Sequence, residues 1–175
     1  MNNTIIRYFI LFWVCILAQV LIFNQIALFN LAYPIIFIYF IIRLPIDLKL
    51  SLVFTFSFLL GLIVDIFSDT PGVNALACTL ISSIRIPIYY AYMDKDDITS
   101  RLTPGVSSMG IWEYSKYLLS FVFIYCLLAF TIEYFSFADV KGIVIISASS
   151  TLLTFVLLLA IDCLIPVKYS QHKKL

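Results

Sequence analysis

The sequence predicts an all-α integral membrane protein, a bundle of six transmembrane helices, and three observations carry that prediction. The 175 residues are 63% apolar and only 12% charged, against roughly 45 to 50% and about 25% in soluble domains. Mean hydropathy is +1.07, and the apolar residues fall into long runs, so lipid is the solvent for most of the surface. The basic residues lie almost wholly to one side once those runs are threaded through a bilayer.

A spanning helix needs about 20 mostly apolar residues at a rise of about 1.5 Å each. Six segments meet this at residues 5–23, 26–42, 48–67, 73–92, 113–134 and 141–163, forming a single domain over 1–167. The first begins with Arg7 and is followed by no small-residue cleavage site, so it is expected as a retained span. The second is the weakest. Asn30 and Pro34 interrupt its start, leaving a short apolar core from Tyr33 to Ile42, and a re-entrant segment competes with a full span.

Positive charge in short loops stays in the cytoplasm. With six spans and an internal N-terminus, Arg7, Arg43, Lys49, Lys95, Arg101, Lys116, Lys168, Lys173 and Lys174 share one side, and Lys141 alone lies on the other. A re-entrant second segment would move Lys95 and Arg101 outside. Six spans with both termini cytoplasmic are therefore expected. The tyrosines at 89, 90 and 92, and Trp112, Tyr114 and Tyr117, fall at span ends, where amphipathic rings prefer the headgroup layer. The loop 93–111 is rich in Ser, Pro and Gly and reads as a mobile cytoplasmic connection or a partner-binding loop. The tail 168–175 is basic and contains His172, the only histidine.

Several function classes lack parts. No stripe of Lys or Arg suits nucleic acid. Cys15, Cys78, Cys126 and Cys163 sit inside apolar runs and match neither a disulfide framework nor a metal site, so they read as compact apolar residues. No base accompanies a Ser or Cys nucleophile. Asp65 and Asp162 fall near opposite ends of their spans, too far apart to share a proton. No enzyme activity and no cofactor are expected.

The most specific stretch runs from Gly61 to Leu76. Gly61 and Asp65 are four apart and share a helix face; the glycine admits a close neighbour. Asp65 opposes the negative end of its own helix dipole, so it needs compensating donors or headgroup hydration. Pro71-Gly72 suits a type II turn, while Thr70 as a helix cap before Pro71 is the alternative. The next span carries Ala75, Thr79 and Ser83 at intervals of four, a small-residue ridge. Arg85, costing about 2.5 to 3.5 kcal/mol at a helix centre, must face protein or water. It lies about 18 Å below the outer end of that span, too deep for Asp65, and is expected to reach the cytoplasmic interface past Pro87 or to meet a polar side chain.

Gly61, Asp65, a short turn with Asp69, Pro71 and Gly72, and the Ala75-Leu76 start of the next helix resemble the family of rod shape-determining proteins MreD. Gln19, Pro34 and Leu44-Pro45 add to the resemblance, which covers roughly the first 90 residues; the Asp69-Thr70-Pro71-Gly72 turn departs from the commoner forms. It implies a non-enzymatic inner-membrane subunit of the cell-wall elongation (rod) complex, contributing to cell shape and peptidoglycan synthesis. Its partners would be a bitopic MreC-type protein and, in the same complex, MreB, RodA and a class B penicillin-binding protein. It also implies a fold similar to the substrate-binding subunits of energy-coupling-factor transporters, so a vitamin-type transport subunit is the alternative function. The corner around Asp65 to Gly72, with the Ala75 ridge, is the expected partner contact.

Overall fold

A computed structural model describes residues 2–25, 32–93, 103–134 and 140–164. Regular structure among them is helical: α1 Asn2–Leu21, a 3-10 turn Phe23–Gln25, α2 Ile38–Arg43, α3 Leu50–Ser68, α4 Val73–Tyr92, α5 Val106–Met109, α6 Ile111–Tyr134 and α7 Val140–Leu164. Three helices are long and apolar enough to cross a membrane, at Leu50–Ser68, Ile111–Tyr134 and Lys141–Leu164. They leave Phe56, Ile66, Phe67, Leu119, Ile145, Leu152 and Val156 exposed, a belt of large apolar side chains that water would disfavour and lipid accepts. α1 adds a shorter apolar stretch, Ile6–Leu21. α4 has 20 residues, but Asn74, Thr79, Ser82, Ser83 and Arg85 dilute its apolar character.

The second apolar segment is not the helix expected over 26–42. Residues 33–36 are non-helical, and helix begins only at Ile38 and ends at Arg43; residues 26–31 lie outside the described part. Every residue from Pro34 to Ile42 is buried. The physical reason is backbone satisfaction: open chain at membrane depth survives only where protein supplies its hydrogen bonds. Here side chains supply them. Tyr33 N–H donates to Ser150 Oγ and Ile35 N–H to Thr154 Oγ1, each at 3.0 Å, and Ile36 N–H donates to Gln19 Oε1 at 2.8 Å. The polar run on α7 thus props an extended strand of chain from beside it.

That segment is the central pole of the bundle. Phe40 packs on Phe12 of α1 and Phe56 of α3, Phe37 on Tyr125 of α6, and Tyr33 on Phe130 of α6. Around it, α3 packs on α4, α4 on α6 and α6 on α7. α4 turns Ala75, Cys78, Ser82, Arg85 and Tyr89 inward, a stripe at spacings of three and four. The ridge expected from Ala75, Thr79 and Ser83 therefore holds only at Ala75; Thr79 is half-buried and Ser83 is exposed. Both hydroxyls fold back onto their own helix, at Ala75 O and Leu80 O.

Two further expectations change. Tyr89, Tyr114 and Tyr117 are not headgroup anchors but fully buried core, with Tyr89 edge-on to Tyr117 at 6.0 Å; Trp112 alone of the second cluster is strongly exposed. The described part of the 93–111 loop is also no free connection. Pro104, Gly105, Ser108 and Met109 are buried beneath the bundle, while residues 94–102 lie outside the described part. Cys15, Cys78, Cys126 and Cys163 are free thiols, three of them in the core. His172 and the 168–175 tail fall outside the described residues.

Candidate functional site

Polar chemistry gathers at the two ends of the bundle. At the end where α3 turns into α4, Asp69 takes a left-handed conformation (φ 53°) and closes α3 by donating its N–H to Asp65 O. Gly72 follows with φ 83° and ψ −4°, and Val73 N–H reaches Thr70 O at 3.4 Å. These are the dihedral and bond of a type II turn over Thr70 to Val73, which decides between the two turns expected.

The corner leaves the first N–H groups of α4 without helical partners, and the Asp65 carboxylate serves them. Oδ1 accepts from Asn74 N–H, Asn74 Nδ2 and Thr70 Oγ1, and Oδ2 accepts from Ala75 N–H, each at 2.9 Å. A negative group here also suits the positive end of the α4 dipole, so the energetic penalty at the end of α3 is offset by the start of α4. Gly61 makes the approach possible: a Cβ on it would stand 2.5 Å from Asn74 O and 2.6 Å from Ala75 Cα. Asn74 extends the network, accepting from Tyr125 Oη at 2.6 Å.

The residues picked out between Gly61 and Leu76 therefore divide. Gly61, Asp65 and Ala75 are buried and build the corner; Asp69, Pro71 and Leu76 are exposed on it, with Gly72 half-buried at the turn. Beside the corner, Gln19 is buried and clamps three strands of chain, donating to Asn24 Oδ1 and Pro34 O at 3.1 Å while receiving Ile36 N–H. Asn24 in turn donates to Ser68 Oγ at 2.8 Å, tying the exit of α1 to the exit of α3. A cavity of about 340 Å³ opens between these elements, bordered by Gln19, Tyr33, Phe67, Asn74, Phe130 and Glu133.

The opposite end holds two arginines. Arg85 is fully buried and hydrogen-bonds to no side chain among the described residues; instead its Nη1 donates to Leu44 O at 2.7 Å and, more weakly, to Ile41 O at 3.4 Å, and Nη2 donates to Pro45 O at 2.9 Å. It closes the C-terminus of α2, whose last carbonyls lack helical donors and carry partial negative charge. This places Leu44-Pro45, which in the sequence only added to the resemblance, in the role of arginine receptor.

Sequence reasoning missed the third centre. Arg43 Nη2 pairs with Asp162 Oδ1 at 2.8 Å, and Tyr39 Oη donates to the same oxygen at 2.7 Å. Asp162 Oδ2 accepts Val106 N–H at 2.8 Å, while Arg43 Nη1 donates to Pro104 O at 2.8 Å and its guanidinium lies 5.3 Å from the Tyr39 ring centroid. A Cβ on Gly105 would collide with the Arg43 guanidinium. Arg43 had counted only as a cytoplasmic charge. The available signal was Asp162 itself, a carboxylate inside an apolar run with no local donor.

Among the described residues, no three His, Cys, Asp or Glu side chains converge as a metal site. The three charged centres instead act on chain ends, joining α3 to α4, α4 to α2, and α2 to α7 and the 103–106 segment. Comparison of the chain with family models, with characterised proteins and with solved structures returns no match.

Proposed function

We propose that this chain is a non-enzymatic six-span scaffold of the bacterial cytoplasmic membrane, a subunit of the cell-wall elongation complex that binds an MreC-type partner. The six spans are α1, the 26–42 segment completed by α2, α3, α4, α6 and α7. The α3–α4 corner faces the periplasm, and the Arg43–Asp162 end faces the cytoplasm with both termini. Three contacts support a second crossing. The Asn24–Ser68 bond sets the end of α1 beside the corner. From Tyr33 at Ser150 to Tyr39 at Asp162 the chain then descends parallel to α7 by about 18 Å, twelve residues at about 1.5 Å. Lys49 and Lys116 fall on the cytoplasmic side of this arrangement.

The observation that carries the functional reading is the division of the Gly61 to Leu76 stretch. Its buried half makes a rigid corner and its exposed half, Asp69, Pro71 and Leu76, presents a surface at the periplasmic boundary, where a bitopic partner has both a membrane helix and an external domain to engage. The MreC-type protein is the direct partner; MreB, RodA and a class B penicillin-binding protein belong to the same complex. Exchanging Asp69→Asn, Pro71→Ala and Leu76→Ala together should abolish co-purification with an MreC-type protein from gently solubilised membranes while leaving the thermal transition near wild type. Full association of that variant would show the corner is not the contact. The 340 Å³ cavity favours a second reading, a substrate-binding subunit of a small-molecule transporter. Recovery of transporter ATPases in place of morphogenesis proteins in the same purification would select it.

A further inference from the structure

The cavity beside the corner has a one-sided chemistry. Its amide groups are committed within the chain: Gln19 to Asn24, Pro34 and Ile36, Asn24 to Ser68, and Asn74 to Asp65, Thr70 and Tyr125. Two carboxylates remain on its wall, Glu133 and Asp69, and neither has a hydrogen bond or ion pair among the described residues. Among the described residues, no lysine or arginine lines it. The remaining wall includes the rings of Phe23, Tyr33, Phe67 and Phe130 beside the aliphatic side chains of Ile35, Val64 and Val73. Carboxylates without cations, set against aromatic rings, stabilise a positive charge and repel a negative one. A volume of about 340 Å³ lies at the small end of ligand pockets, which run from about 300 to 1,000 Å³.

From this we infer that the cavity is a binding site for a small organic cation, a protonated amine whose ammonium sits at Glu133 and Asp69 while its apolar body lies against Tyr33 and Phe130. Asp69 belongs to both the site and the partner surface, and the site stands apart from the scaffold reading at Glu133, Tyr33 and Phe130, which the partner surface does not include. An ammonium reaches this depth from two sources, a free amine in the periplasm or the ethanolamine headgroup of an outer-leaflet lipid. The geometry favours the free amine: a phospholipid would bring its phosphate against two carboxylates with no cation to receive it.

The test is calorimetric titration of the full chain in phosphatidylglycerol nanodiscs with 2-phenylethylamine and its neutral isostere 2-phenylethanol, each corrected against empty nanodiscs. The amine should bind at least tenfold more tightly than the alcohol. Glu133→Gln, with Asp69→Asn added, should erase that preference, and Phe130→Leu should weaken both probes. Glu133 holds no structural partner among the described residues, so an unchanged thermal transition is expected and certifies the fold. Equal affinity for amine and alcohol, or a preference surviving in the double carboxylate variant, overturns the proposal. Repeating the titration in phosphatidylethanolamine nanodiscs assigns the source: amine affinity retained there identifies a free amine, and affinity lost there identifies the lipid headgroup as the resident ammonium.

Discussion

The two ends of the bundle solve the same problem, charge withdrawn from water, by different means. At the corner a single carboxylate, with no cation beside it among the described residues, satisfies four donors, and the partial charge of a helix N-terminus supplies what an arginine would otherwise give. At the other end Asp162 depends on a full counter-ion, Arg43, brought from another helix. The corner is local, built from residues nine and ten positions apart. The Arg43–Asp162 centre is long-range, with Tyr39 and Asp162 separated by 123 positions. A local cap forms as soon as the hairpin does, whereas the distant pair forms only when α7 docks on α2. The corner is thus a building unit and the ion pair a lock on the finished bundle.

Breaking the lock should cost the most. Asp162→Ala leaves the Arg43 guanidinium, 11% exposed at its side chain, unpaired, an effect of about 3–5 kcal/mol, read as a lowered midpoint of thermal unfolding in detergent. Replacing both partners, Arg43→Met with Asp162→Leu, should recover most of that loss, which a double-mutant cycle measures; a double variant as unstable as the single would mean the charge itself is not the issue. Asp65→Ala removes the acceptor for the start of α4 and should cost about 2–3 kcal/mol, with Asp65→Asn milder because one oxygen survives. If Asp65→Ala proved the worse of the two alanine variants, the ranking of lock over corner would fall.

Smaller effects sharpen the corner itself. Gly61→Ala forces a methyl onto the α4 backbone and should destabilise by about 1–3 kcal/mol. Gly72→Ala meets nothing within 4 Å but holds φ at 83°, a purely conformational penalty of about 1 kcal/mol. The difference between these two glycine variants separates close approach from backbone freedom. Leu76→Ala, 53% exposed, should leave stability within about 0.5 kcal/mol, so any loss of partner binding there reports on the surface alone.

Legibility followed the same division. The spans expected at 48–67, 73–92, 113–134 and 141–163 meet helices at Leu50–Ser68, Val73–Tyr92, Ile111–Tyr134 and Val140–Leu164. The need of Asp65 for compensating donors, the glycine facing its neighbour and the turn with positive φ at Gly72 were likewise readable, since each depends on residues close in the chain. The tyrosines at 89, 114 and 117 were not, because an aromatic ring near a span end suits a headgroup and a protein core equally well.

By itself, then, the amino-acid order determined the solvent, the long helices and the corner, all consequences of hydropathy and of bonds reaching no further than ten residues. Only the tertiary structure decided that the least helix-like segment becomes the central pole, that Ser150 and Thr154 serve its open backbone, and that Arg43 and Asp162 find each other. A backbone N–H in oil donates to whichever oxygen the fold delivers, and two of the three that serve it here lie more than a hundred residues away.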